Sequence, residues 1–179
     1  MMSIFEGEIT DLSFKGFGVT KAPDGVSVFV QGSWPGDFGR FRVIERKKRY
    51  SFAVIEELLK PSPARRSVPC PHQGFSEGDC GGCPWMMIDY PEQLHRKNLI
   101  VESQLSRSGL IDDGGVLKPI IASAASLGYR NRVKIRTDGE NMGFHSSASN
   151  TFVPIDDCII LNDEVRSKLK NLKPLLSSI

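Results

Sequence analysis

No apolar run in this sequence approaches the roughly 20 residues that a membrane-spanning helix needs, so no membrane partner is expected. Charge of one sign is also lacking: 23 Lys and Arg against 21 Asp and Glu leave a formal net charge of +2. That excess is too small to announce nucleic-acid binding by itself, and the distribution of charge matters more than its sum. Nothing at the N-terminus resembles a secretory leader, because Met1 to Phe5 is followed at once by Glu6 and Glu8. A cytoplasmic location is therefore expected, where thiols stay reduced and two structural disulfides are disfavoured. Cysteine is scarce, four among 179 residues. The remaining composition, 40% hydrophobic and 25% charged, is that of an ordinary soluble globular chain with room for one domain or two small ones.

The few cysteines are not scattered. Three of the four fall in the stretch Cys70 to Cys83, and Cys80 and Cys83 form a C-x-x-C pair separated only by Gly81 and Gly82. Two thiolates at that spacing on a glycine turn can face one soft metal centre, and positive φ at the glycines would let N–H groups approach the sulfurs. Cys70 precedes the pair by a loop, and Cys158 lies far downstream as the fourth ligand. A thioredoxin-like redox pair lacks its βαβ context. An iron–sulfur cluster and structural zinc both accept four cysteines. Zinc ribbons usually pair two C-x-x-C knuckles, and Cys158 has no such neighbour. Iron–sulfur, zinc and no metal remain open on spacing alone.

Around this cluster the chain changes character. Residues 1–60 read as about five short strands: Ile4–Thr10, a bend at Phe14–Val19, a hairpin at Asp24-Gly25, alternating Val26–Gln31, a turn at Pro35-Gly36-Asp37, then Arg40–Glu45 and Tyr50–Leu58. Regular turns between short strands argue for a small all-β barrel of the OB type. Its last turn is basic, with Arg46, Lys47, Lys48 and Arg49; a solvated hairpin tip and a phosphate-binding loop both fit. Residues 61–179 form the second expected domain, opening with a linker at Pro61-Ser62-Pro63. A helix follows the cysteines, with Asp89 or Tyr90 as cap, Pro91 in its first turn and Gly109 as stop. Leu94, Val101 and Leu105 form its apolar stripe, and Gln93, Arg96, Lys97 and Arg107 face water. A loop is expected over 112–115 and an irregular connection over Pro119–Ser126.

Then Arg130, Arg132, Lys134 and Arg136 fall at every second position, which on a strand gives one wholly basic face. Four aligned cations repel one another, so an anionic polymer is the preferred partner over an edge strand charged only against aggregation. Strands over Met142–Phe144 and Thr151–Ile155 would continue an antiparallel sheet and deliver Cys158. His145 is expected in the turn between them, and the tail from Asp163 is expected to be helical.

Taken together these residues resemble a known family. Gly16-Phe17-Gly18-Val19, Val28-Phe29-Val30 and Pro35-Gly36-Asp37 look like a TRAM domain. Cys80-Gly81-Gly82-Cys83, Tyr90, Gln93-Leu94 with Lys97, Tyr129-Arg130-Asn131, Gly143-Phe144 and Asp157-Cys158 resemble the RNA uracil-5-methyltransferases, which include enzymes of 23S ribosomal RNA and of transfer RNA. The resemblance implies a 4Fe–4S cluster on Cys70, Cys80, Cys83 and Cys158, with zinc as the alternative. One departure is the Cys70–Cys80 interval, enlarged by Phe75 to Gly78. Family members continue into a domain that binds S-adenosylmethionine, in which a cysteine adds to C6 of uracil and a carboxylate later removes the C5 proton. No residue here matches that machinery, so no catalytic or S-adenosylmethionine-binding residue is assigned and the chain alone is expected to be inactive.

The resulting expectation is a mainly β protein with some α. A TRAM barrel precedes a partial α+β iron–sulfur domain, as the N-terminal part of an RNA (uracil-5-)-methyltransferase acting on ribosomal rather than transfer RNA. It is expected to be a monomer. Arg46, Lys47, Arg49, Arg130, Arg132, Lys134 and Arg136 are the expected RNA contacts, with Phe14, Phe17 and Tyr129 as stacking surfaces. A stand-alone RNA-binding module and a zinc-stabilised interaction protein are the alternatives.

Overall fold

The computed structural model describes residues 3–109, 117–147, 149 and 151–176; the loop expected over 112–115 and the last three residues of the helical tail lie outside them. The chain divides into two compact units, Met1–Arg66 with Met87–Ile121, and Ser67–Met86 with Ala122–Ile179. The stretch 61–179 thus contributes to both.

In the first unit, β1 (Ile4–Glu8), β2 (Asp11–Leu12), β3 (Gly18–Lys21), β4 (Ser27–Val30), β5 (Phe38–Arg46) and β6 (Tyr50–Lys60) make one sheet in the order β1-β5-β6-β4-β3-β2. The count is six rather than five because the chain after β1 turns a corner and forms a second short strand. At that corner the N–H groups of Ile9 and Thr10 donate to the carbonyls of Asp37 and Val19 at 2.8 and 2.9 Å. One continuous stretch therefore supplies both edges of the sheet, and a sheet joined in this way must curl. Inward positions carry Phe5, Val28, Val30, Phe41, Val43 and Ala53, all buried, with Ile9 and Ala22 completing the core. Outward Arg40 and Arg42 pair with Glu57 and Glu56 across β5 and β6, each at 2.6 Å.

The expected turn at Gly36 is present with φ +88°, a conformation that favours glycine. It places Asp37, fully buried, as an anchor. One carboxylate oxygen accepts from the N–H of Trp34 at 2.6 Å and the other from that of Ser62 at 2.9 Å. Arg65 closes the carboxylate bidentately at 2.7 Å and also donates to the Gly32 carbonyl. The Pro61–Pro63 segment is therefore pinned to the sheet and is no free linker.

Helix α1 (Tyr90–Arg107) also belongs to this unit. Pro91, Glu92 and Gly109, at φ +67°, mark its ends as expected. Its inward side differs from the expected stripe: Val101 is exposed, whereas Ile100, Gln93 and Arg96 are half-buried. Gln93 donates to the Ile88 carbonyl and Arg96 to Glu92, both at 2.8 Å, so these polar groups are satisfied locally. No residue of α1 is buried.

The second unit has a three-stranded antiparallel sheet of β7 (Arg136–Thr137), β8 (Met142–His145) and β9 (Phe152–Pro154), followed by α2 (Asp163–Leu176). Asn162 caps α2 by accepting from the Val165 N–H at 2.9 Å. His145 ends β8, opposite Phe152, and does not sit in the turn. The eight-residue basic strand is not formed as expected. Only Arg136 pairs in a ladder, and Arg130 makes a single bridge to Leu161. The alternation persists without the ladder: Val133 and Ile135 are half-buried while Arg132, Lys134 and Arg136 are exposed. Tyr129 and Asn131 are exposed too, because the apolar set that pulls one face inward consists of two residues. Among the described helices none is long and apolar enough to cross a membrane.

Candidate metal centre

All four cysteines of the chain line one cavity of the second unit. Local bonding explains how residues so far apart in sequence meet there. Gln73 bridges Cys80, the Cys80 N–H donates to the His72 carbonyl at 2.7 Å, and the Gln73 N–H to the Cys70 carbonyl at 3.3 Å. The enlarged Cys70–Cys80 interval therefore folds back on itself. Asp79 closes its tip by accepting from the Ser76 N–H at 2.8 Å. The Met86 N–H bonds to the Cys83 carbonyl at 3.2 Å, which turns the chain after the pair.

Gly81 serves close approach rather than positive φ, a correction to the expected role of the glycines. Neither Gly81 nor Gly82 has positive φ, but a Cβ on Gly81 would lie 2.3 Å from the Ser147 side chain and 2.5 Å from its backbone nitrogen. Cys158 arrives just after β9. Its N–H donates to Asp157 at 2.8 Å, and Arg166 of α2 grips the same carboxylate. Arg166 holds the Asp157 carboxyl below the usual range, so this link between loop and helix is ionised at neutral pH.

The cavity wall is largely apolar, with Met86, Phe144, Ile155, Ile159 and Ile160. Burial pushes the Cys83 thiol up to about 11, and the charge of Cys158, Cys80 and Cys70 as thiolates adds to the rise, while Arg130 pulls downward. Burial raises Cys158 as well, opposed by the N–H groups of Ile160 and Leu161. As thiolates, four such groups in this wall would need a cation among them, and a coordinating metal would deprotonate the thiols outright.

Two further observations bear on what could be held. Among the described residues no three Cys, His, Asp or Glu side chains converge so as to hold a single metal ion. Gln73 also lines the cavity, and its buried amide nitrogen has no acceptor among the described residues. A donor without an acceptor beside four soft ligands suits a bound group rich in lone pairs, such as inorganic sulfide. His72, Gln73 and Arg166 escaped the sequence reading, although His72 and Gln73 stand inside the cysteine motif, and Asp157 entered it only as part of the Asp157-Cys158 motif.

The expected RNA contacts are surface residues. Arg46 pairs with Asp24 at 3.5 Å and Lys47 with Glu45. Arg49, Arg130, Arg132, Lys134 and Arg136 are exposed and make no ion pair among the described residues.

No family model matches the chain. An uncharacterised RNA methyltransferase of Nitrosomonas europaea is 42% identical over 97% of this chain and 45% of its own length. The 23S rRNA (uracil(1939)-C(5))-methyltransferase of Halomonas elongata is 32% identical over 96% of this chain and 35% of its own. The crystal structure of the Pyrococcus abyssi tRNA (uracil-54, C5)-methyltransferase with S-adenosyl-L-homocysteine superposes with a TM-score of 0.66 at 26% identity, over 97% of this chain and 37% of that one. The chain thus spans less than half the length of these relatives, and over nearly all of its own length it is similar to RNA methyltransferases, enzymes named for uracil C5 among them.

Proposed function

We propose that this chain is the RNA-binding and iron–sulfur-bearing part of an S-adenosylmethionine-dependent RNA (uracil-5-)-methyltransferase that acts on 23S ribosomal RNA. The observation that carries the reading is the gathering of all four cysteines on one apolar cavity. Cys70, Cys80, Cys83 and Cys158 would hold a 4Fe–4S cluster. A single zinc ion would have to draw four sulfurs to about 2.3 Å from one point. A 4Fe–4S cubane would instead give each thiolate its own iron. Bound there, the cluster supplies a rigid crosslink between the Cys70–Cys83 loop and the end of β9. The unpartnered amide of Gln73 favours the same group.

The curled sheet is read as a TRAM domain of the OB type. Its hairpin cations Arg46, Lys47 and Arg49, together with Arg130, Arg132, Lys134 and Arg136, would grip phosphates. Exposed ion pairs such as those of Arg46 and Lys47 are screened by solvent and contribute little, so a phosphate can displace the carboxylate. Methyl transfer is proposed for the whole protein, and no described residue is given a catalytic role. Ribosomal RNA is preferred because several relatives named for a substrate are 23S rRNA enzymes.

Iron, acid-labile sulfide and zinc content of protein purified without oxygen tests the centre. About four irons and four sulfides per chain, with a broad visible absorption that bleaches on reduction, are expected. One zinc without sulfide overturns the cluster. Binding to a 23S rRNA fragment tighter than to transfer RNA is expected, and equal or inverted affinity removes the ribosomal assignment.

A further inference from the structure

The curled sheet of the first unit turns apolar side chains inward, yet its outer face is aromatic too. The parallel register of β4 and β6 sets Phe29 beside Phe52 and Ser27 beside Tyr50. The intervening Val28, Val30, Ser51 and Ala53 are buried, so alternation turns Phe29, Phe52 and Tyr50 outward. Their rings gather there, with centroids 5.6 Å apart for Phe29 and Tyr50, 5.9 Å for Phe29 and Phe52, and 5.5 Å for Tyr50 and Phe52. Phe17 adds its edge to Phe52 at 6.0 Å. None of these rings is buried. Phe29 continues into a groove of about 550 Å³ that has Phe14 and Val19 on the sheet side and Leu99, Ile100 and Arg107 on the side of α1.

Cations border this surface. Lys21 stands in one row with Ser27 and Tyr50 across three strands, the hairpin tip with Arg49 adjoins Tyr50, and Arg107 lines the groove. No ion pair among the described residues neutralises Lys21, Arg49 or Arg107. Lys15 lies over the Phe14 ring, 5.7 Å from its centroid. An apolar protein partner would have no use for unpaired cations at both borders, whereas an unpaired polynucleotide presents flat bases flanked by phosphates and needs both.

We propose that this outer face stacks the unpaired bases of a single-stranded RNA segment, with Phe29, Tyr50 and Phe52 as the platform and Lys21, Arg49 and Arg107 receiving phosphates. The proposal rests on the reading of the chain as RNA-binding and moves the main stacking site from Phe14, Phe17 and Tyr129 to strands β4 and β6.

The test uses the full chain and an unstructured 12-nucleotide RNA carrying 2-aminopurine. Wild type should bind and quench the fluorophore. Phe29→Leu with Tyr50→Leu, which keeps apolar bulk, should weaken binding about tenfold or more and abolish the quenching. The salt slope should stay unchanged, because stacking releases no counterions. Double-variant binding and quenching equal to wild type overturn the platform while leaving RNA binding intact; a wild type that binds no RNA overturns both. Variants that leave RNA binding intact but abolish self-association in sedimentation assign the face to a second copy and overturn the proposal. Independently of any variant, RNA carrying 5-iodouridine should crosslink within β4 or around Tyr50, and crosslinks confined elsewhere refute the platform.

Discussion

In the first unit eight buried side chains from four strands and two corners share one core, and a buried carboxylate ties the following segment to it. Among the described residues the second unit has three short strands, and much of what lies between its elements there carries no regular structure. Three of its buried apolar residues, Met86, Ile155 and Ile160, line the cavity of the thiols. One region is built to fold on hydrophobic burial and backbone ladders. The other has four thiols lining one cavity of its interior, so if they hold the proposed cluster its order should depend on that group.

Removing one ligand should break this comparison most severely. Cys83→Ser is expected to abolish the visible absorption and to remove the thermal transition of the second unit. The transition of the first should remain within a degree or two, as two-wavelength melting and hydrogen exchange would report. Equal loss of protection in both units would show that they do not fold independently.

The converse experiment is Asp37→Ala. Leaving Arg65 and the N–H groups of Trp34 and Ser62 without their shared acceptor should cost about 3–5 kcal/mol, read as a lower denaturation midpoint of the first unit. Iron content should stay unchanged. Asp37→Asn, which keeps an acceptor but loses the charge, should fall between the two. A midpoint unmoved in Asp37→Ala would mean that the clamp is dispensable.

Charge reversal should have a smaller effect, felt in binding rather than folding. Arg132→Glu with Lys134→Glu should lower RNA affinity and flatten its dependence on salt by about 1.4 units of slope if both side chains meet phosphates of a single strand. An unchanged slope removes this segment from the RNA contacts.

What the sequence made legible divides along the same line. Strands of the first unit were readable because Val28 and Val30, or Phe41 and Val43, alternate over enough residues to declare a face, and Gly25 and Gly36 sit where positive φ is needed. The two-residue β2 is too short to carry a period. The basic strand misled because alternation of charge was read as alternation of burial: Val133 and Ile135 do turn inward, yet a ladder needs a neighbouring strand that alternation cannot supply. The outer aromatic cluster was invisible for a related reason, since Phe29 and Tyr50 are far apart in sequence and meet only through the parallel register of β4 and β6. Cysteine spacing, by contrast, reported the shared cavity without any knowledge of its walls.

The smallest effect is expected at Gln73, and it sharpens the account of those walls. Its amide nitrogen is buried and unpartnered, a state that costs stability unless something accepts its hydrogens. If a cluster sulfur accepts, Gln73→Leu should preserve cluster assembly but shorten its lifetime in air by a few fold and lower its reduction potential, because a hydrogen bond to sulfur favours the more reduced and more negative state. Without a bound acceptor the same substitution removes an unsatisfied polar group and should raise the thermal stability of the second unit. The sign of that change in the metal-free protein, set beside the lifetime in the loaded one, separates an amide that serves the centre from one that is merely tolerated beside it.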